Sequence, residues 1–247
     1  MYLKLIRKFN SSEKITVYFE TSYSAGIYIN EYLRGNEIFP LKEFVEDYRG
    51  TMFGTTELMN FIITLRKYYQ RAKNKFAFIG IDLEFQKNIT EKMLKYTSLN
   101  KNSDIYRRIL RNRQNTEHLA HLDDAHFEVE REEILTQNFL ELYHDTINAL
   151  CFMGAWHTRI RSNDKNFSKE IKKHHFNVLS IELMYQNSRR TIKEDGVFKS
   201  IQIDDKYDKE KYSMYGRFGI MKEDTSQGVL VLDNCNSLDM MFHTCPQ

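Results

Sequence analysis

Three short runs rich in β-branched and aromatic residues each give way to an ionisable side chain. Ile15 to Phe19 stops at Glu20, and Phe76 to Ile81 stops at Asp82. The run inside Ala149 to Thr158 leads through Gly154 to His157. Runs this short and apolar read as strands buried on both faces. Segments with apolar residues at helical spacing separate them, which predicts an α/β fold with a largely parallel central sheet flanked by helices. The connections are too long for one crossover helix each, so they are expected to hold several helices.

The helical segments can be placed from their punctuation. A helix is expected over Leu3 to Phe9, one over Ser24 to Leu33 with Gly35 as its stop, and one after Pro40 through Phe44 and Val45. A long helix opens at Thr55 or Thr56, with Leu58, Phe61, Ile62, Leu65 and Tyr69 on its core face. Further helices are expected near 84–98, 103–118, 130–147 and 166–175. "NVLSIELMY" reads as a fourth strand, with "SMYGRFGIM" and "GVLVLD" as later candidates. No repeat or flexible linker interrupts the chain, so residues 1–247 read as one domain. The charge run Asp204 to Lys211 reads as a solvated loop.

Open α/β sheets bind ligands beyond the carboxyl ends of their strands. If the strands are parallel, Glu20, Asp82 and His157 share that edge, where a histidine between carboxylates can serve general acid–base chemistry. Plainer roles stand beside this one. Either carboxylate could cap the following helix, and a histidine at a strand end is often structural.

Composition excludes several classes. A net charge of +2 gives no basic stripe for nucleic acid, so no nucleic-acid partner is expected. No apolar run is long enough to span a membrane, and the N-terminus lacks a signal-peptide pattern, so no membrane partner is expected. Cys151, Cys235 and Cys245 are odd in number and lack metal spacing, which fits reduced thiols in a cytoplasm. Abundant Lys, Asn, Ile and Tyr beside two prolines fit an AT-rich bacterial genome. No Gly-x-Ser-x-Gly elbow and no phosphate-cradling glycine loop occurs. His118, His121, Asp123, Asp124 and His126 crowd one stretch, but without the spacing of a zincin. A solvated helix end accounts for them, and neither a metal nor a cofactor is expected. The Arg107 to Arg113 run reads as a solvated helix face.

Several stretches in order resemble the erythromycin esterase-like family, which includes succinoglycan-biosynthesis-like proteins. "VYFETSYSAGIYINEYLRG" matches a Glu-ended strand followed by Asn-x-Tyr-x-x-Gly, at Glu20, Asn30, Tyr32 and Gly35. "LRKYYQ" and "FIGIDLEF" match Arg-x-Tyr and Gly-x-Asp, at Arg66, Tyr68, Gly80 and Asp82. "REEILTQN" keeps Arg131 and Asn138 of an Arg-Asp-x-x-Met-Ala-x-Asn helix and carries Glu132 and Leu135 in place of the Asp and Met. "FMGAWHTRI" keeps a small residue and one histidine of a His-Asn-x-His element, with Trp156 and Arg159 where the two family histidines would fall and His157 at the Asn position, or the alignment shifted by one.

The resemblance implies a metal-independent hydrolase that opens a small-molecule ester or lactone with an activated water. It implies Glu20, His157 and Arg131 as catalytic groups and Asp82, Asn138, Tyr32 and Arg66 as substrate-binding groups. The family's Gly-Glu-x-x-His-Gly motif is not found in this sequence, where only 19 residues precede Glu20. The chain therefore reads as a truncated member, either catalytic or an inactive binding remnant. Losing a central strand exposes backbone and apolar surface, so self-association is expected of such a fragment.

Overall fold

The computed structural model describes residues 2–12, 14–49, 51, 55–144, 148–158, 165–174 and 176, together with the backbone of six strands between 181 and 233. Two compact units divide the chain, one built on Met1–Phe152 and the other on Met153–Met240.

The first unit holds a parallel three-stranded sheet. Strand β1 (Ile15–Ser22) is central, with β2 (Ala77–Asp82) on one side and β3 (Asn148–Phe152) on the other. β1 is therefore paired along both edges. Side chains alternate across β1. Val17 joins the main apolar core, while Tyr18 turns the other way and packs against Phe139, with ring centres 4.7 Å apart. Phe19 stacks beside Phe78 of β2 at 5.3 Å.

Helices carry the connections. Helix α1 (Tyr2–Ser12) precedes β1, and α2 (Tyr23–Arg34), α3 (Leu41–Tyr48) and α4 (Thr56–Arg71) lie between β1 and β2. Helices α5 (Lys87–Thr97), α6 (Asp104–Leu119) and α7 (Asp124–Leu142) lie between β2 and β3. Ser22 caps α2 by accepting the Ala25 N–H, and Gly35 ends it with φ of 92°. Thr55 caps α4 through the Leu58 N–H. Ile62 and Leu65 of α4 are buried, as their spacing predicts.

Helix α2 lies directly on β2, and two glycines permit it. A Cβ on Gly26 would stand 2.3 Å from the Gly80 nitrogen, and one on Gly80 would stand 1.9 Å from the Ser22 carbonyl oxygen. The same helix closes the outer edge of β2. The Asn30 amide accepts the Phe78 N–H at 2.9 Å and donates to the Phe78 carbonyl at 2.5 Å, standing in for a neighbouring strand.

The second unit contains α8 (Ala155–Thr158), α9 (Phe167–Lys173) and strands β4 (Ile181–Gln186), β5 (Ser188–Glu194), β6 (Val197–Ile203), β7 (Tyr212–Tyr215), β8 (Phe218–Met221) and β9 (Gly228–Asp233). Its sheet has the order β4-β9-β8-β7 and is mixed: β4 and β9 run parallel and the other pairs antiparallel. β5 and β6 form a separate hairpin. The "NVLSIELMY" strand therefore pairs with "GVLVLD" instead of extending the β1 sheet. Asp204 to Lys211, Cys235 and Cys245 lie outside the described residues.

Candidate functional site

At the carboxyl end of the sheet, the β1–β2 ladder loses its regular register. Phe19 pairs with Gly80 and Ser22 with Asp82, so β1 carries one residue more than β2 across the gap. A bulge of this kind re-aims side chains near the ends of strands. Glu20 and Thr21 occupy it. The carboxylate that the sequence places at the strand's end thus sits in a bulge, and Ser22 takes the capping role.

Arg131, on the second turn of α7, reaches this edge. Its Nε donates to Asp82 Oδ1 at 3.1 Å, and its Nη2 donates to Asp82 Oδ2 at 2.5 Å and to Glu20 Oε1 at 3.0 Å. All three side chains are largely buried, with exposures of 15% for Arg131, 13% for Glu20 and 4% for Asp82. Burial opposes the Arg131 charge, but the Asp82 and Glu20 carboxylates outweigh it, so its pKa lies above the ordinary guanidinium value. The bidentate fork fixes the guanidinium plane. Nη1 faces Glu128 at 4.0 Å, beyond hydrogen-bond distance, and the Phe85 ring lies 5.8 Å from the guanidinium carbon. Asp82 also accepts the Leu83 N–H at 2.8 Å. It caps no helix, since α5 begins later, after Gln86.

A small apolar recess, with a cavity volume of about 10 Å³, lies beside Glu20. Phe19, Phe44, Phe61 and Phe78 line it with Leu58 and Ile62. Tyr48 and Thr21 border it too, and their hydroxyls bond to each other. Burial raises the Tyr48 pKa above the usual phenol range.

The remaining candidates make other contacts. Asn138, two turns beyond Arg131 on α7, donates to the Ile81 carbonyl at 2.9 Å and accepts from Arg111 at 3.3 Å. Its amide fastens α7 to β2. Tyr32 and Arg66 pack together, with the guanidinium carbon 4.5 Å from the ring centre. Helix α2 runs back from the site, and Tyr32 lies about 15 Å down it from Ser22 at 1.5 Å per residue. The pair therefore belongs to the opposite end of the sheet. His157 is buried on α8 in the second unit, and its N–H bonds to the Gly154 carbonyl at 3.2 Å. β3 ends at Phe152, so His157 follows a turn and does not end the strand, contrary to the sequence expectation.

In the histidine-rich stretch, Asp123 caps α7 through the His126 N–H, and the His126 ring contacts the same carboxylate at 2.7 Å. His118 pairs with Glu130 at 3.3 Å. Among the described residues no three His, Cys, Asp or Glu side chains gather into a metal cluster. Among them, too, no helix is long and apolar enough to cross a membrane. Burial pushes the Cys151 thiol up to about 12.

One buried carboxylate went unassigned in the sequence. Glu84, two residues after Asp82, accepts the Ser24 N–H at 3.1 Å and the Thr90 hydroxyl at 2.8 Å, and also bonds the Ser24 hydroxyl.

No family model and no curated protein matches the chain. Solved structures do match in fold. A succinoglycan biosynthesis protein superposes with a TM-score of 0.64 at 12% identity, over 98% of this chain and 84% of its own. A Bacillus cereus protein gives 0.59 at 11%, over 96% and 85%. A mutant of the erythromycin esterase EreC in its open conformation gives 0.56 at 10%, over 97% and 88%. The chain shares their mixed α/β architecture, and at these identities the likeness is one of fold.

Proposed function

We propose that the chain is an erythromycin esterase-like hydrolase that directs an activated water onto an ester or lactone at the carboxyl ends of β1 and β2. The observation that carries this reading is Arg131 held between Glu20 and Asp82 at that edge, beside an apolar pocket. Asp82 fixes the guanidinium, and Glu20 orients the water. Arg131 Nη1, which faces Glu128 at 4.0 Å and has no nearer acceptor among the described residues, supplies a donor for the oxyanion that forms when the carbonyl is attacked. The ordered motifs and the fold shared with an erythromycin esterase favour this chemistry over other uses of the same edge. No metal enters the proposed reaction. His157 keeps the acid–base role that the motif resemblance gives it.

The test is hydrolysis of a panel of aryl esters, alkyl esters and lactones by the full chain. Glu20→Gln and Arg131→Met should each lower kcat/KM at least about 100-fold. His157→Ala tests the acid–base assignment in the same assay. Full activity in both Glu20→Gln and His157→Ala would overturn the hydrolytic reading.

The bidentate Arg131–Asp82 pair also favours a second reading, an inactive member that binds a small molecule. Two of the three guanidinium nitrogens are committed to holding the fold together. Saturable stabilisation by esters without turnover would select that reading.

A further inference from the structure

The geometry points to a proton-controlled latch: protonated Glu84, with the hydroxyls of Ser22, Ser24 and Thr90, holds the first turn of α2 against the end of β2, and loss of the proton loosens it. Glu84 lies in the segment after β2, while Ser22 and Ser24 begin α2 and Thr90 lies on α5. The carboxyl group thus ties three elements at one buried point. Ser24 Oγ stands 3.3 Å from Ser22 Oγ and 3.2 Å from Thr90 Oγ1. The Ser22 hydroxyl in turn accepts the Ala25 N–H, and the Glu84 N–H donates to Thr116 Oγ1 at 2.9 Å.

Counting protons shows why the charge state matters. Thr90 Oγ1 lies 2.8 Å from both Glu84 Oε2 and the Gln86 carbonyl, yet it has one proton to give. With Glu84 protonated, the acid donates to Thr90 and Thr90 donates to Gln86, so both Thr90 contacts are met. With Glu84 ionised, Thr90 must turn to the carboxylate and abandon the carbonyl. Among the described residues no cation lies within salt-bridge distance of Glu84.

The groups around it add no compensating charge. Tyr23 of α2 and Tyr48 of α3 both interact electrostatically with Glu84, and burial raises both phenols. Arg108 and Asp104 of α6 act on Tyr23, and Asp47 of α3 and Asp82 of β2 act on Tyr48. Asp82 is occupied with Arg131. Burial therefore pushes the Glu84 carboxyl up to about 7, against the hydrogen bonds from Ser24 and Thr90 that pull it down. A carboxyl raised in the folded state stabilises fully below its ordinary value of 4.5, and that contribution is lost as pH rises through about 7.

The experiment compares unfolding of the full chain and of Glu84→Gln, a neutral mimic, between pH 5 and 8. The wild-type folding constant should fall on the order of a hundredfold relative to the variant across that window. Superimposable pH profiles would overturn the latch. Infrared spectroscopy of the unmodified protein gives a second readout that needs no variant to fold. A buried carboxylic-acid carbonyl band should be present at pH 6 and vanish near pH 8. Its absence at pH 6 would also overturn the proposal. Thr90→Val, which removes a donor to the carboxylate, should move the loss of that band to higher pH. Neither readout involves turnover, so both are independent of the hydrolytic reading.

Discussion

Asp82 and Glu84 leave the same strand two residues apart, and both are buried. Asp82 meets a bidentate guanidinium, which also binds Glu20. Glu84 meets two hydroxyls and one backbone N–H. A cation holds a buried carboxylate ionised, whereas uncharged donors leave burial to decide its protonation state. One strand end thus carries an Arg–carboxylate cluster beside a carboxyl that burial raises to about 7.

Removing the cation should break this contrast most forcefully. Arg131→Met leaves the buried Asp82 without its cation, at a cost of about 3–5 kcal/mol in chemical denaturation. Adding Asp82→Asn should recover part of that loss, because the orphaned charge goes with it. A smaller effect is expected from the platform that both carboxylates share. Gly80→Ala drives a Cβ into the Ser22 carbonyl and should cost about 2–3 kcal/mol, with altered amide exchange at Ser22 to Ala25.

The smallest effect comes from a third carboxylate that has cations but little burial. Burial raises Glu141, but hydrogen bonds from Arg111, Gln137 and Arg108 outweigh it and hold the group down at about 2. Its contribution is present above its ordinary value of 4.5 and is lost as pH falls towards about 2, opposite in sign to Glu84. Glu141→Gln should cost less than about 1 kcal/mol at neutral pH, and added salt should shrink the difference. A loss as large as that of Arg131→Met would mean that pairing, not burial, separates these sites.

Much of the first unit was legible because its signals are local. Continuous apolar runs mark β1, β2 and β3, and Ser22, Thr55 and Gly35 punctuate the helices. The order of motifs also pointed to Glu20, Asp82 and Arg131, which the fold brings together. A motif records order along the chain, whereas α2 reverses direction and carries Tyr32 and Arg66 towards the other end of the sheet. Asn138 is adjacent to the site, yet its amide is consumed by the Ile81 carbonyl. The β5–β6 hairpin was missed because "SRRTIKE" is too polar to read as a buried run. Whether β4 pairs with β2, β3 or β9 depends on contacts between distant segments, which periodicity does not encode. The hydroxyls around Glu84 were invisible for the same reason: Ser24 and Thr90 meet it only after folding.

The Asn30 amide on Phe78 has a consequence for how molecules of this protein meet. Amyloid-like zipping and strand exchange both begin with main-chain atoms left open along a border of a sheet. At Phe78 that border is already occupied by a side chain of the same molecule. An intruding segment would have to evict it before pairing with β2 at Phe78.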